Sequence, residues 1–107
     1  MVKYDYKNIL FFVMSWFSPN HYSQKEYYLP VQQIEKIVSY INIQTLNEPE
    51  TVLVRNEISK KRGYDGQISL YQIYEVLGDL KNKNKISRYD LKSLMTGFEK
   101  YFSEKYK

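Results

Sequence analysis

Residues 67–102 read QISLYQIYEVLGDLKNKNKISRYDLKSLMTGFEKYF, and this stretch decides the fold class. Ser69 is followed by Ile73, Val76, Leu77 and Leu80, and Ser87 by Leu91, Leu94, Met95, Phe98 and Phe102. Apolar residues three and four apart line one face of a helix, whereas a half-buried strand would alternate. Each serine stands where its hydroxyl can accept a bond from the free N–H groups of a first turn, and Gln72 holds the capping-box position after Ser69. The spacing predicts one helix opening at Ser69 and a final helix opening at Ser87. Gly97 is tolerated in the latter at about 1 kcal/mol relative to alanine. Lys81-Asn82-Lys83-Asn84-Lys85, between them, reads as an exposed loop. Gln67-Ile68-Ser69-Leu70-Tyr71 also matches Lys85-Ile86-Ser87-Arg88-Tyr89. An isoleucine ahead of a serine cap acts as a hydrophobic staple, so the likeness has a local cause and two copies do not make a repeat architecture.

Working toward the N-terminus, Asn47-Glu48-Pro49-Glu50 has an N-cap, a capping-box acid and an early proline, which predicts a helix over 48–62 stopped by Gly63. The rival reading is a strand, because Thr51-Val52-Leu53-Val54 is β-branched and partly alternating. Pro30, followed by Val31, Ile34, Ile37, Val38 and Ile41, predicts a helix over 30–42, and residues 18–29 read as a tyrosine-rich loop. Asp5 can cap a first helix that runs to Phe17 and stops at Ser18-Pro19-Asn20. That helix is apolar nearly all round, through Ile9, Leu10, Phe11, Phe12, Val13, Met14, Trp16 and Phe17. A helix of this kind is central in its fold or covered by another chain. The expected architecture is mostly α: a compact bundle of about five helices forming a single helical domain over 1–107. Its C-terminal pair is expected to resemble a helix-turn-helix, with at most a short strand near Val52–Val54 or Ile68.

The 107 residues suit one core, and the absence of cysteine excludes a disulfide framework, a thiolate zinc site and a cysteine nucleophile. It also fits a reducing, cytoplasmic setting. With no alanine, twelve tyrosines and many Lys, Asn and Ile residues, the chain has the usage of an AT-rich coding sequence, as expected of a low-GC bacterium, its phage or a mobile element. The apolar run from Ile9 to Phe17 is shorter than the roughly 20 residues a membrane span needs, and Ser18-Pro19-Asn20-His21 makes a poor signal cleavage site, so no membrane association is expected.

No catalytic motif is present. His21 has no adjacent acid, and Glu48 and Glu50 are better used at a helix start, where the dipole favours negative charge. A calcium-loop reading of Asp65-Gly66-Gln67-Ile68 places Lys61, Gly63 and Gln72 at three ligand positions, and its counterpart further on places Lys81 and Lys83 there. Calcium takes six to eight oxygens, so neither loop serves, and no metal or other cofactor is expected.

Charge is the strongest remaining signal. Residues 1–50 carry four Lys against five acids, and 51–107 carry twelve Lys or Arg against seven. A basic half is the usual complement of a polyanion. Lys81, Lys83, Lys85, Arg88 and Lys92 cluster in the last loop and at the start of the last helix, with Tyr89 among them able to stack or hydrogen-bond. In helix-turn-helix proteins the second helix enters the major groove with its N-terminal residues leading, and Arg88 and Lys92 lie opposite the apolar face. The link 81–86 is longer than the three or four residues usual for that motif. A solvated loop between two core helices is the competing explanation.

The function expected is a non-catalytic nucleic-acid-associated module binding DNA, an accessory of phage or mobile-element DNA handling. The alternative is a small inhibitor or adaptor that meets a protein partner, or a second copy as a homodimer, through Phe11, Phe12, Trp16 and Phe17, since aromatic residues dominate interface hot spots.

Overall fold

The computed structural model of the protein describes residues 22–106, and over 41–45 the backbone alone. These residues form strand β1 (Glu26–Tyr28), helices α1 (Val31–Thr45) and α2 (Glu48–Lys61), strand β2 (Gln67–Ser69), and helices α3 (Leu70–Asn82) and α4 (Arg88–Lys105). The chain is mostly helical, as expected, but the described residues hold four helices, not about five. The first helix expected from Asp5 to Phe17 lies outside them.

The helix starts follow the side-chain chemistry read from the sequence. Asn47 Oδ1 accepts from Glu50 N–H at 2.9 Å while Glu50 Oε1 accepts from Asn47 N–H at 3.0 Å. This reciprocal box satisfies two donors that would otherwise lack partners in the first turn, and it commits Thr51–Val54 to a helix against their β-branched preference. Ser69 with Gln72 and Ser87 with Asp90 form the same box. Pro30 stands just ahead of α1, where its carbonyl accepts from Gln33 and Ile34 N–H.

The strand expected near Val52–Val54 is therefore absent, and the one near Ile68 is real. β2 pairs antiparallel with β1, Tyr27 opposite Ile68, so the segment read as loop over 18–29 contains a strand. Strands of three residues are too short to show a period of their own, and each exists here because the other supplies its hydrogen bonds. The turn that delivers β2 depends on Gly66 at φ +80°. Its carbonyl accepts from Leu29 N–H at 3.0 Å, and the Arg62 guanidinium donates to the Leu29 carbonyl at 3.0 Å. The Asp65 carboxylate closes the turn by accepting from Gln67 N–H. The loop thus joins β1 to the end of α2 through a cation carried by the chain itself.

Each helix packs on the next, α1 on α2, α2 on α3 and α3 on α4, and α4 returns onto α1. The core inside this ring contains Ile34, Val38, Val54, Ile58, Ile73 and Leu77, with Leu94, Met95 and Phe98 entering from α4 and Leu29 and Ile68 from the sheet end. Leu91 and Phe102 are buried as well, so the whole predicted apolar face of the last helix is internal. The C-terminus is tied back to the sheet: Tyr106 stacks on Tyr27 with ring centroids 4.4 Å apart, and its hydroxyl donates to the Tyr28 carbonyl at 2.6 Å.

Candidate nucleic-acid interface

The basic cluster sits where α3 hands over to α4, and the backbone there is ordered by its own bonds. α3 continues through Asn82, so Lys81 and Asn82 are helical and not part of an exposed loop. Asn84 adopts φ 59°, a left-handed conformation that asparagine tolerates better than most side chains. Asn84 N–H then donates to the Lys81 carbonyl at 2.9 Å and Lys85 N–H to the Leu80 carbonyl at 2.8 Å. These two bonds form a Schellman closure with asparagine in the usual glycine place. Ile86 turns into the core, and Ser87 caps α4 immediately after. The connection is 83–87, tighter than the loop expected over 81–86.

This geometry brings the six expected residues into one region. Lys81 is half-buried in the last turn of α3, while Lys83, Lys85, Arg88, Tyr89 and Lys92 are exposed. Arg88 and Lys92 stand one turn apart on α4, and Tyr89, 66 % exposed, lies one turn before Lys92 on the same side. Lys83 pairs with Asp79 at 3.0 Å, both side chains being about 60 % exposed (63 % and 60 %). An ion pair so open to water is worth roughly 0.3–0.5 kcal/mol, so an incoming phosphate can compete for Lys83.

Two acids moderate the field. Asp79 belongs to a shallow depression between α2 and α3 that also holds Glu57, Lys61 and Glu75, which makes the α3 side of the cluster acidic. Asp90 is 3 % exposed; its Oδ2 accepts from Ser87 N–H at 2.9 Å, and its Oδ1 is buried without a hydrogen-bond partner. That carboxylate and the Ser87 hydroxyl between them satisfy the Ser87 and Asp90 N–H groups at the start of α4. The open, positive side is the face of α4 that carries Arg88, Tyr89 and Lys92.

Sequence reasoning missed the part played by Asp90, which stands three residues after Ser87 and so had a readable signal in the capping-box spacing. Phe11, Phe12, Trp16 and Phe17, expected to meet a partner, lie outside the described residues, as does His21. Among the described residues no three of His, Cys, Asp and Glu gather to hold a metal ion, and no helix is long and apolar enough to cross a membrane. Comparison with protein-family models, with curated proteins and with solved structures gave no match to this chain.

Proposed function

We propose that this protein is a non-catalytic nucleic-acid-binding module that grips duplex DNA with the α3–α4 corner. The observation that carries the reading is the gathering of Lys81 at the end of α3, Lys83 and Lys85 on the short hydrogen-bonded connection, and Arg88 and Lys92 at the start of α4, with Tyr89 exposed among them. The hydrogen-bonded backbone sets the spacing of the five residues that carry these charges, which suits a phosphate backbone better than a basic tail would. The apolar face of α4 is spent on the core, so Arg88 and Lys92 are free to project outward. A role as an accessory of phage or mobile-element DNA handling accords with the alanine-free, Lys-, Asn- and Ile-rich composition of an AT-rich coding sequence.

The test is a fluorescence-anisotropy titration against duplex DNA, single-stranded DNA and RNA at two salt concentrations. Each phosphate contact on a duplex contributes about −0.9 to the slope of log affinity against log salt, so four or five contacts predict a slope near −4. Changing Lys83, Lys85, Arg88 and Lys92 together to Glu should abolish binding with the circular dichroism unchanged, since none of the four belongs to the core. Arg88→Ala alone separates two versions: base readout loses sequence discrimination, phosphate contact loses affinity evenly. A wild-type protein that binds no nucleic acid at low salt overturns the reading.

A further inference from the structure

The side of α4 that carries Arg88, Tyr89 and Lys92 does not end at Lys92. Arg88, Lys92, Thr96 and Lys100 recur every four residues, as do Tyr89, Ser93 and Gly97, so one continuous strip of helix surface leads away from the corner. Beyond Lys92 this strip becomes the wall of a groove of 670 Å³ between α4 and α1. Ile37 and Tyr40 of α1 line it with Gly97 and Tyr101 of α4, and Lys36 and Lys100 stand on the two walls. Tyr106 is bonded to Tyr28, just ahead of α1, so α1 starts beside the end of α4 and runs back along it toward the corner. Tyr40, late in α1 and 79 % exposed, therefore lies toward the same end of the groove as Ser93 and Tyr89.

We propose that this groove takes a single nucleic-acid strand running on from a duplex held at the α3–α4 corner; its direction rests on the nucleic-acid reading of that corner. An aromatic ring stacks on any base whose face is free, and a cation beside it follows the phosphates. In a duplex those faces are covered by neighbouring bases, so Tyr89, Tyr40 and Tyr101 suit an unpaired strand. Charge favours the same occupant over a protein. Lys36 and Lys100 are exposed, and among the described residues neither is held in an ion pair. Glu35, the acid next to Lys36, is drawn instead to Arg55 of α2 at 3.6 Å. Among the described residues the groove and its mouth at Lys92 offer three cations against one acid, Glu104, which stands at the far end and marks the limit of the track. Gly97 presents only backbone to the groove, a place where a sugar or base can approach α4 closely. Ser93 to Glu104 spans about 17 Å of helix, room for a few nucleotides.

The test is binding of the full-length protein to three labelled probes: a blunt duplex, the same duplex with a single-stranded tail of about eight nucleotides, and that tail alone. The tail is expected to raise duplex affinity at least about fivefold, the worth of one stacked base. Tyr40→Ser and Lys36→Gln should each reduce that gain and leave blunt-duplex affinity unchanged; both alter exposed side chains, and retained helical circular dichroism checks the fold. A blunt duplex bound as tightly as the tailed one overturns this inference and leaves the corner reading standing. A tail bound in a Tyr40-dependent way, with no affinity for the blunt duplex, does the reverse. A gain from the tail that survives Tyr40→Ser in a folded protein places the strand elsewhere and overturns the inference. So does a wild-type dimer that Tyr40→Ser dissociates, which would give the groove to a second copy. Affinity for none of the three probes overturns both.

Discussion

Gly66→Ala and Gly78→Ala make the same chemical change in two places, and the structure gives them opposite signs. At Gly66 the backbone has φ +80°, and an added Cβ would stand 2.7 Å from Tyr28 Cε1 and 2.9 Å from its Cδ1. The left-handed conformation costs an L-residue roughly 1–2 kcal/mol. Relief of the clash requires the Tyr28 ring to move, while its backbone is held by the pairing with Gln67 and by the Tyr106 hydroxyl on its carbonyl. Losing the ring's contacts adds on the order of 1 kcal/mol, so the total is about 2–3 kcal/mol of destabilisation. At Gly78, within α3, a Cβ would meet nothing within 4 Å, and alanine is favoured by about 0.5–1 kcal/mol through helix propensity alone. The two variants should therefore differ by about 2.5–4 kcal/mol. Urea unfolding followed by circular dichroism, with a slope near 1–1.5 kcal/mol/M for a chain this small, separates their midpoints by roughly 2–4 M. Gly66→Asn should fall between them, because asparagine tolerates the left-handed region. A Gly66→Ala protein with the wild-type midpoint would refute the geometry of the α2–β2 turn, and with it the pairing of the two strands.

Leu94, fully buried in α4, should cost about 2–5 kcal/mol on truncation to alanine, whereas exposed Lys92→Ala should stay within about 0.5 kcal/mol; equal melting temperatures would mean that the buried face is misassigned. Ser87→Ala removes the acceptor for Asp90 N–H and should cost about 1 kcal/mol, read as a lower midpoint with an unchanged urea slope. Burial first, then Glu99 and Tyr74, raises the Tyr22 hydroxyl pKa above 10.0, so the folded state holds this proton more tightly than the unfolded chain. Stability is then full below pH 10.0 and falls as the pH rises above it; Tyr22→Phe should soften that alkaline loss, and parallel curves for the two proteins would exclude the coupling.

The helical part of the fold was legible because its determinants are local. A capping residue, the residue three after it and an apolar stripe at three- and four-residue spacing lie within a few turns of one another, so Asn47, Ser69 and Ser87 mark helix starts and Leu91–Phe102 marks a core face without reference to the rest of the chain. The same locality placed Lys81, Lys83, Lys85, Arg88 and Lys92 near one corner, although it read as loop what Asn84 closes into the end of a helix. What required the tertiary structure was every feature whose partner is distant. β1 exists only because Ile68 comes to lie beside Tyr27, Leu29 is held by Gly66 and Arg62, and Tyr106 bonds to Tyr28 across 78 residues. The groove between α1 and α4 is likewise created by the ring closing, and no residue in either helix announces it alone. Hydrogen bonds and staples within one turn are written in the order of the residues; contacts between distant segments depend on which surfaces the core leaves facing each other once it has formed.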